Sequence, residues 1–275
     1  MSAAALARQA AVRHRADGVA ESLDDAVVVE EPLEIRIAGE TFAITMRTPG
    51  HDAELAAGLL LSEGLIQSRH DLGGLAHCGR PGDEGYGNTL EVTSAPGTRI
   101  DHERVDLGRR GTLTSASCGV CGRRSIDDLM ARIGESTDAT RFTRAVLAQL
   151  TERLSSEQPV FAHTGGLHAA GVADAAGVWR VVREDVGRHN AVDKVVGRML
   201  LDDALPGRGQ VLVVSGRSSF EIVQKAAVAG FAALVSVSAP TSMAVATAER
   251  AGLTLIGFSR GGAFNVYAGA GRVAP

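Results

Sequence analysis

A chain of 275 residues has room for one large domain or for a small unit beside a medium one. Apolar residues make up 45% of it and aromatics only 4%, so a sizeable core is possible without disulfides or metals and must be built from Val, Ala and Leu. A net charge of −4 argues against a nucleic-acid binder, no apolar run approaches the ~18 residues of a membrane span, and an odd count of three cysteines makes no disulfide framework and suits a reducing cytoplasm.

Residues 1–20, which begin MSAAALARQAAVRHRADG, are Ala- and Arg-rich without the apolar core of a targeting peptide, and read as a disordered tail. The stretch PLEIRIAGETFAITM (32–46) alternates apolar and polar residues on both sides of AGE and predicts a β-hairpin. HDAELAAGLLLSEGLI (51–66) has helical spacing and follows Pro49 and Gly50, a helix start. Residues 71–88 are Gly-rich and loop-like, and TLEVTSA and TRIDHERVDL resemble short strands. This first part reads as a small N-terminal α+β domain over 21–111, with an α/β domain over 112–275.

In the second part RSIDDLMARIG (124–134) is a short helix candidate and GESTDAT (134–140) a polar linker. RFTRAVLAQLTERLSS (141–156) puts Val146, Leu147, Leu150 and Leu154 on one helical face. GLHAAGVADAAGVWRVVRED predicts two strands around the turn DAAG, and RHNAVDKVVGRMLLDD (188–203) an amphipathic helix with ridges Ala191/Val195/Met199 and Val192/Val196/Leu200. Three strands, 210–215, 232–239 and 253–259, then alternate with helices over 219–230 and 241–252. Continuous apolar strands between helices imply a parallel sheet covered on both faces.

Ligands of such sheets collect at the carboxyl ends of the strands. Those ends read SGRSS (215–219), SAPTS (238–242) and FSRGG (258–262), small hydroxyl and glycine residues with Arg217 and Arg260 among them. Ser218 stands three before Glu221, a capping-box spelling, and a helix N-terminus favours an anion. Together the loops suit a phosphate or nucleotide; each loop alone is explained as turns and caps. Neither a Walker A pattern nor a G-x-G-x-x-G after a strand is present.

In REDVGRHNAVDK (183–194), Glu184 and Asp185 end a strand, and His189 and Asp193 are four apart on one helix face. An acid–base couple and an ion-paired turn both fit. HTGGLH (163–168) sets two histidines around a Gly-Gly turn, a spelling shared by metal sites and by ordinary turns.

TSASCGVCGRRSI (114–126) holds Cys118 and Cys121. Zinc needs two more ligands, and no second C-x-x-C exists, so distant residues such as Cys78 or a histidine would have to join. A thioredoxin-like pair belongs at a helix start inside a βαβ unit. A nucleophile fits the setting better: Arg123 and Arg124 favour a thiolate, and Gly119 and Gly122 leave the backbone mobile. Cys78 reads as a spectator.

With TGGLHAAG, REDVGRHNAVDKVVG, SGRSSFEIVQKAAVAG, SAPTSMAV and LTLIGFSRGGAFNVY, this segment resembles the FdhD family of formate dehydrogenase accessory sulfurtransferases, from MRTPGHDAELAAGLLLSEGLI to FNVY. The resemblance implies a sulfur carrier. It takes sulfur from a cysteine desulfurase as a cysteine persulfide and passes it to the bis-molybdopterin guanine dinucleotide form of the molybdenum cofactor for formate dehydrogenase. It implies the persulfide on Cys118 and Cys121, with Cys118 the usual intermediate. It places cofactor binding on Phe258, Ser259, Arg260, Gly261, Gly262 and Ala263, with GDP as a mimic. It further implies a three-layer, cytidine deaminase-like mixed sheet after a small N-terminal domain, a homodimer, a cytoplasmic location, and neither nucleic-acid nor membrane partners. Deaminase chemistry is not implied, because LHAAG lacks the glutamate of H-x-E and Ser117 stands where P-C-x-x-C has proline. The alternative is a non-catalytic zinc- or cofactor-binding chaperone.

Overall fold

The computed structural model describes residues 5–98, 100 and 133–275. In place of the expected tail, Leu6–His14 (β1) and Ala20–Val28 (β2) pair antiparallel. The turn between them passes through Gly18 at φ 87°, and Arg15 N–H donates to the Val19 carbonyl. Asp17-Gly18 is a hairpin signal. It is hidden in sequence because most side chains of both strands stay exposed and no apolar alternation marks them. Only the base is anchored, where Ala5, Leu6 and Val28 pack with Val160, Leu167 and Val186.

The predicted hairpin is Glu31–Ile37 (β3) and Glu40–Arg47 (β4). Ala38 at φ 51° and Gly39 at φ 80° turn the chain with two left-handed residues, as a tight hairpin requires. Helix α1 (Asp52–Glu63) follows and closes on Gly64 at φ 72°. It is buried on nearly every side rather than along one stripe. The stretch expected as a loop contains β5 (Leu72–His77), and β6 (Thr89–Ser94) completes a four-stranded sheet in the order β4-β3-β6-β5. Glycine is needed in β5 at position 73, where a Cβ would press on the Ser94 carbonyl. The expected strand over 98–107, the helix over 124–134 and the domain boundary at 111/112 lie outside the described residues, apart from a few flanking positions.

Strand β7 (Phe142–Thr143) leads into α2 (Arg144–Ser156), whose N-cap Thr143 accepts from Val146 N–H. A short helix, α3 (Pro159–Thr164), precedes the hairpin of β8 (His168–Asp174) and β9 (Trp179–Asp185). Then come α4 (Arg188–Leu201), β10 (Gln210–Val214), α5 (Phe220–Val228), β11 (Ala233–Ser236), α6 (Ser242–Arg250), β12 (Thr254–Arg260), β13 (Ala263–Ala268) and β14 (Val273–Ala274), the last paired with β7. The main sheet runs β13-β12-β11-β10-β8-β9. Strands β10, β11 and β12 are parallel, as predicted, but β8, β9 and β13 join antiparallel, so the sheet is mixed. The reason is local: β8–β9 and β12–β13 are hairpins, and a hairpin delivers only an antiparallel neighbour.

Side chains alternate across this sheet. Val172, Leu212, Leu234 and Leu255 face one core, and Ala173, Val213, Val235 and Ile256 the other. Helices α4, α5 and α6 cover the first face and α2 covers the second. The first core continues through Leu55, Leu60, Leu33 and Ile35, so the N-terminal sheet and α1 share it. Helices α1 and α4 meet at Gly58 and Gly197; a Cβ at Gly58 would strike the Asp193 carbonyl, and one at Gly197 the Glu54 carbonyl. That close crossing is what the sequence GLLLSEG-type spacing could not reveal without its partner helix.

Candidate functional site

At the carboxyl ends of β10, β11 and β12, where ligands of α/β sheets collect, lies a cavity of about 550 Å³. Its walls include Ser215, Val237, Ser259 and Arg260 from the strand ends and Gly165, Gly166, Leu167 and His168 from the HTGGLH turn. Of the three predicted loops, SGRSS contributes Ser215 and FSRGG contributes Ser259 and Arg260, while no residue of SAPTS is among the lining residues and Arg217 is exposed outside them.

The FSRGG segment is built by a bulge. The β12–β13 register shifts between Gly257 and Arg260, and Phe258 sits at φ 52°. A left-handed phenylalanine costs roughly 1–3 kcal/mol, and such strain gathers at functional sites. Phe258 N–H donates to the Ser238 carbonyl at 3.2 Å, while its ring stays 38% exposed. Ser259 turns inward and its carbonyl accepts from Thr151 Oγ1 at 2.7 Å. Arg260 is exposed at the cavity, and Gly261 and Gly262, at φ 58° and 74°, close the hairpin before the exposed Ala263.

A second wall was not foreseen from the sequence. Thr151, Glu152 and Ser155 of α2, Gln158, and Phe161 of α3 also line the cavity. The helix itself was predicted, but only its apolar face was interpreted; Thr151 and Ser155 at i and i+4 are the signal that could have exposed its polar side. Glu184 holds α3 in place, accepting from Val160 N–H at 3.0 Å and Phe161 N–H at 2.7 Å. That gives this residue of the REDVGRHNAVDK cluster a positioning role.

The remaining residues of that cluster divide between the cavity's flank and the seam beneath it. Asp185 is fully buried and binds Lys194 at 2.7 Å, Thr48 N–H, Gly187 N–H and Asn190 Nδ2. Asp193 pairs with Lys225 at 2.6 Å and accepts from Ser62 Oγ at 3.2 Å. For these two acids the ion-paired reading is the one realised. His189 Nε2 lies 3.0 Å from Glu221 Oε2 and 3.4 Å from Ser219 Oγ. The capping box expected from Ser218 and Glu221 does not form. Ser219 is the N-cap of α5, without a side-chain capping bond, and the buried Ser218 Oγ and Glu221 Oε1 have no hydrogen-bond partner among the described residues. Glu221 turns instead toward His189.

His168 is half-buried at the cavity. Burial, then the positive charge of Arg188, holds its imidazole below the ordinary histidine value, against a smaller opposite pull from Asp185. It is therefore neutral at pH 7, and Arg260 is the cavity's cation. His163 is exposed on α3, with Nδ1 2.6 Å from the Pro159 carbonyl. Among the described residues no group of three or more His, Cys, Asp or Glu gathers as a metal site, and no helix is long and apolar enough to cross a membrane. Cys78 is a free thiol whose N–H donates to the Thr89 carbonyl. Cys118 and Cys121 lie outside the described residues.

Residues 28–274 match the FdhD/NarQ family. The chain belongs to that family. Relatives within it include the sulfur carrier protein FdhD of Anaeromyxobacter dehalogenans strain 2CP-1, 54% identical over 255 residues that cover 90% of this chain and 88% of the relative. The sulfur carrier protein FdhD of Streptomyces coelicolor is 48% identical over 272 residues, 97% of this chain and 95% of the relative. A crystal structure described as a formate dehydrogenase accessory protein from Desulfotalea psychrophila superposes with a TM-score of 0.76 at 24% identity, covering 98% of this chain and 99% of that one. It shares the fold. The β1–β2 hairpin precedes all but the first residue of the family match, while the cavity and every strand end that builds it fall inside.

Proposed function

We propose that this chain is a sulfur carrier serving formate dehydrogenase, working as a homodimer in the reducing cytoplasm. A cysteine desulfurase presents its persulfide, and the thiolate of Cys118 or Cys121 attacks the terminal sulfur. The donor's S–S bond breaks, its cysteine leaves as thiolate, and the sulfur stays on this chain as a new persulfide. Arg123 and Arg124 favour the thiolate that starts the exchange. The cargo that receives the sulfur is the bis-molybdopterin guanine dinucleotide molybdenum cofactor, held at Phe258–Ala263 and in the adjoining cavity. We read the half from β7 onward as a variant of the cytidine deaminase layering put to binding rather than deamination.

The observation that carries this reading is the cavity itself. It lies at the strand ends, its cation Arg260 stands on a strained bulge, and its volume of about 550 Å³ suits a nucleotide-sized ligand. The family's relatives bear the name sulfur carrier protein, which agrees with a site built for cargo.

The test is to incubate the protein with a cysteine desulfurase and isotopically labelled cysteine and to map the label by mass spectrometry. Sulfane sulfur on Cys118 or Cys121 is expected, and Cys118→Ala should stay folded while leaving formate dehydrogenase inactive. Absence of label from both cysteines overturns the reading.

A further inference from the structure

Helices α4 and α5 follow β9 and β10, and their N-termini meet where His189 Nε2 lies 3.0 Å from Glu221 Oε2. Neither end is capped by a side chain: the N-caps are Gly187 and a Ser219 that makes no capping bond. The first-turn N–H groups of a 14-residue and a nine-residue helix are thus left together, a setting that favours an anion. Three buried polar atoms beside them, Ser218 Oγ, Glu221 Oε1 and Arg188 Nε, have no hydrogen-bond partner among the described residues. Ser218 is fully buried and Glu221 is 8% exposed, so bulk water does not satisfy either oxygen.

The same two helices show the contrast one turn further in. Asp193 and Lys225, each four residues beyond its outer counterpart, pair at 2.6 Å, and Ser62 Oγ donates to the same carboxylate. That inner pair fixes how the helices dock. The outer pair keeps one carboxylate oxygen unused beside an imidazole, and an imidazole is the side chain suited to proton transfer near neutral pH. The other charged or titratable groups on the elements that pack here are Arg188 and Asp193 on α4, Lys225 on α5, Glu63 on α1, His168 on β8 and Asp185 on β9.

The pair borders the cavity. Val186, Ser215 and His168 line it, and a Cβ on Gly216 would meet both His168 Nδ1 at 3.7 Å and Arg188 Cδ at 3.8 Å. The sheet order β12, β11, β10, β8, β9 sets α4 and α5 two to four strands from Arg260, roughly 10–19 Å at about 4.8 Å per strand. Cargo anchored at Arg260 reaches this border with its far end. We infer that sulfur passes to the cargo here: His189, positioned by Glu221, is the acid that protonates the terminal sulfur of the persulfide, and Ser218 with the two helix N-termini steadies the sulfur anion. The inference rests on the carrier reading given above and deepens it.

A terminal sulfur that bears the negative charge repels a nucleophile, and protonation makes it an electrophile. The imidazolium of His189 gives its proton to that sulfur. The nucleophilic acceptor of the cargo then attacks it with its own electron pair, the S–S bond breaks, and the bonding pair leaves on the inner sulfur as thiolate. The acceptor is formally oxidised by two electrons and the inner sulfur reduced by the same two. The acceptor ends with a bound S–H, the carrier with a thiolate, and His189 neutral until solvent returns its proton.

The test loads the full chain with labelled sulfur from a cysteine desulfurase, removes the donor, and follows transfer to cyanide, a nucleophile that takes the terminal sulfur as thiocyanate. Rates are taken per loaded sulfur. His189→Gln should slow transfer ~10²-fold. The native-to-variant ratio should fall as pH rises from about 6 to about 9, because the acid is lost with the imidazolium and the ionisation of cyanide cancels in the ratio. Glu221→Gln removes the charge that favours the imidazolium, so the same fall should move to lower pH; this variant decides the matter if His189→Gln does not fold. Ser218→Ala breaks no side-chain hydrogen bond among the described residues, so it should slow transfer ~10-fold without lowering Tm. A ratio flat with pH, an unmoved profile in Glu221→Gln, or native transfer by Ser218→Ala overturns the inference. Label that loads and then leaves His189→Gln at the native rate removes this inference and keeps the carrier reading, whereas label that never reaches Cys118 or Cys121 removes the carrier reading itself.

Discussion

The seam between α1 and α4 and the cavity at the strand ends both carry charge, and they treat it in opposite ways. In the seam each charge is matched: Arg47 with Asp52 at 3.0 Å, Glu54 with Arg183 at 2.6 Å, Lys194 with Asp185 at 2.7 Å and Lys225 with Asp193 at 2.6 Å. In the cavity Glu152 and Arg260 have no ion-pair partner among the described residues, and Phe258 is held in strain. Matched buried charge satisfies itself and fixes how two elements dock. Unmatched charge facing a cavity is left for something that arrives from outside. The REDVGRHNAVDK segment feeds both regions, which is why a polar cluster in sequence does not by itself announce a catalytic site.

The comparison breaks first at the seam. Lys225→Ala leaves Asp193 without its ammonium partner in a buried setting and should cost ~3–5 kcal/mol in urea unfolding. The double variant Asp193→Asn with Lys225→Met should recover a large part of that loss. GDP affinity of the folded fraction should be unchanged in both, since neither residue lines the cavity.

A smaller loss is expected from Gly197→Ala, which drives a methyl into the Glu54 carbonyl and forces α1 and α4 apart, at ~1–3 kcal/mol. Thermal unfolding measures it, and an unchanged Tm would show that the crossing is looser than described.

The acid limb of stability tests the seam without mutation. Burial raises the Glu54 carboxyl, but the hydrogen bonds of Arg183 and His51 outweigh it and hold the group at about 2. A carboxyl depressed in the folded state stabilises above its unfolded value of 4.5, and the contribution is lost as pH falls from there toward about 2. Urea midpoints should decline across that window, and Glu54→Gln should flatten the decline.

The smallest effect belongs to the cavity. Phe258→Gly removes the left-handed strain and should raise stability by about 1 kcal/mol, while weakening GDP binding through loss of the ring and of the fixed bulge. A variant that loses stability would mean that the phenylalanine conformation is not strained.

What sequence could show follows from how local each signal is. Strands β10 to β12 were legible because continuous apolar runs between helices have few other meanings, and Ser259 and Arg260 of the FSRGG segment line the cavity at their ends. The Glu152–Phe161 wall was not, since it becomes a wall only when α2 packs across the sheet against Ser259. The β1–β2 hairpin escaped because two exposed strands carry no apolar alternation, and the Asp193–Lys225 pair because its partners lie 32 residues apart on different helices. Ser218 shows the converse: a correct capping spelling was overridden when His189 drew Glu221 away.

The most direct measurement is GDP calorimetry on Arg260→Ala beside the native chain, with thermal melts of both. A GDP affinity reduced by ~10-fold or more with an unchanged Tm is the predicted result, since a charge-assisted contact to ligand is lost and nothing in the fold is. Unchanged affinity, or a reduced affinity that comes only with a lowered Tm, would contradict the assignment of the unmatched charge to the ligand.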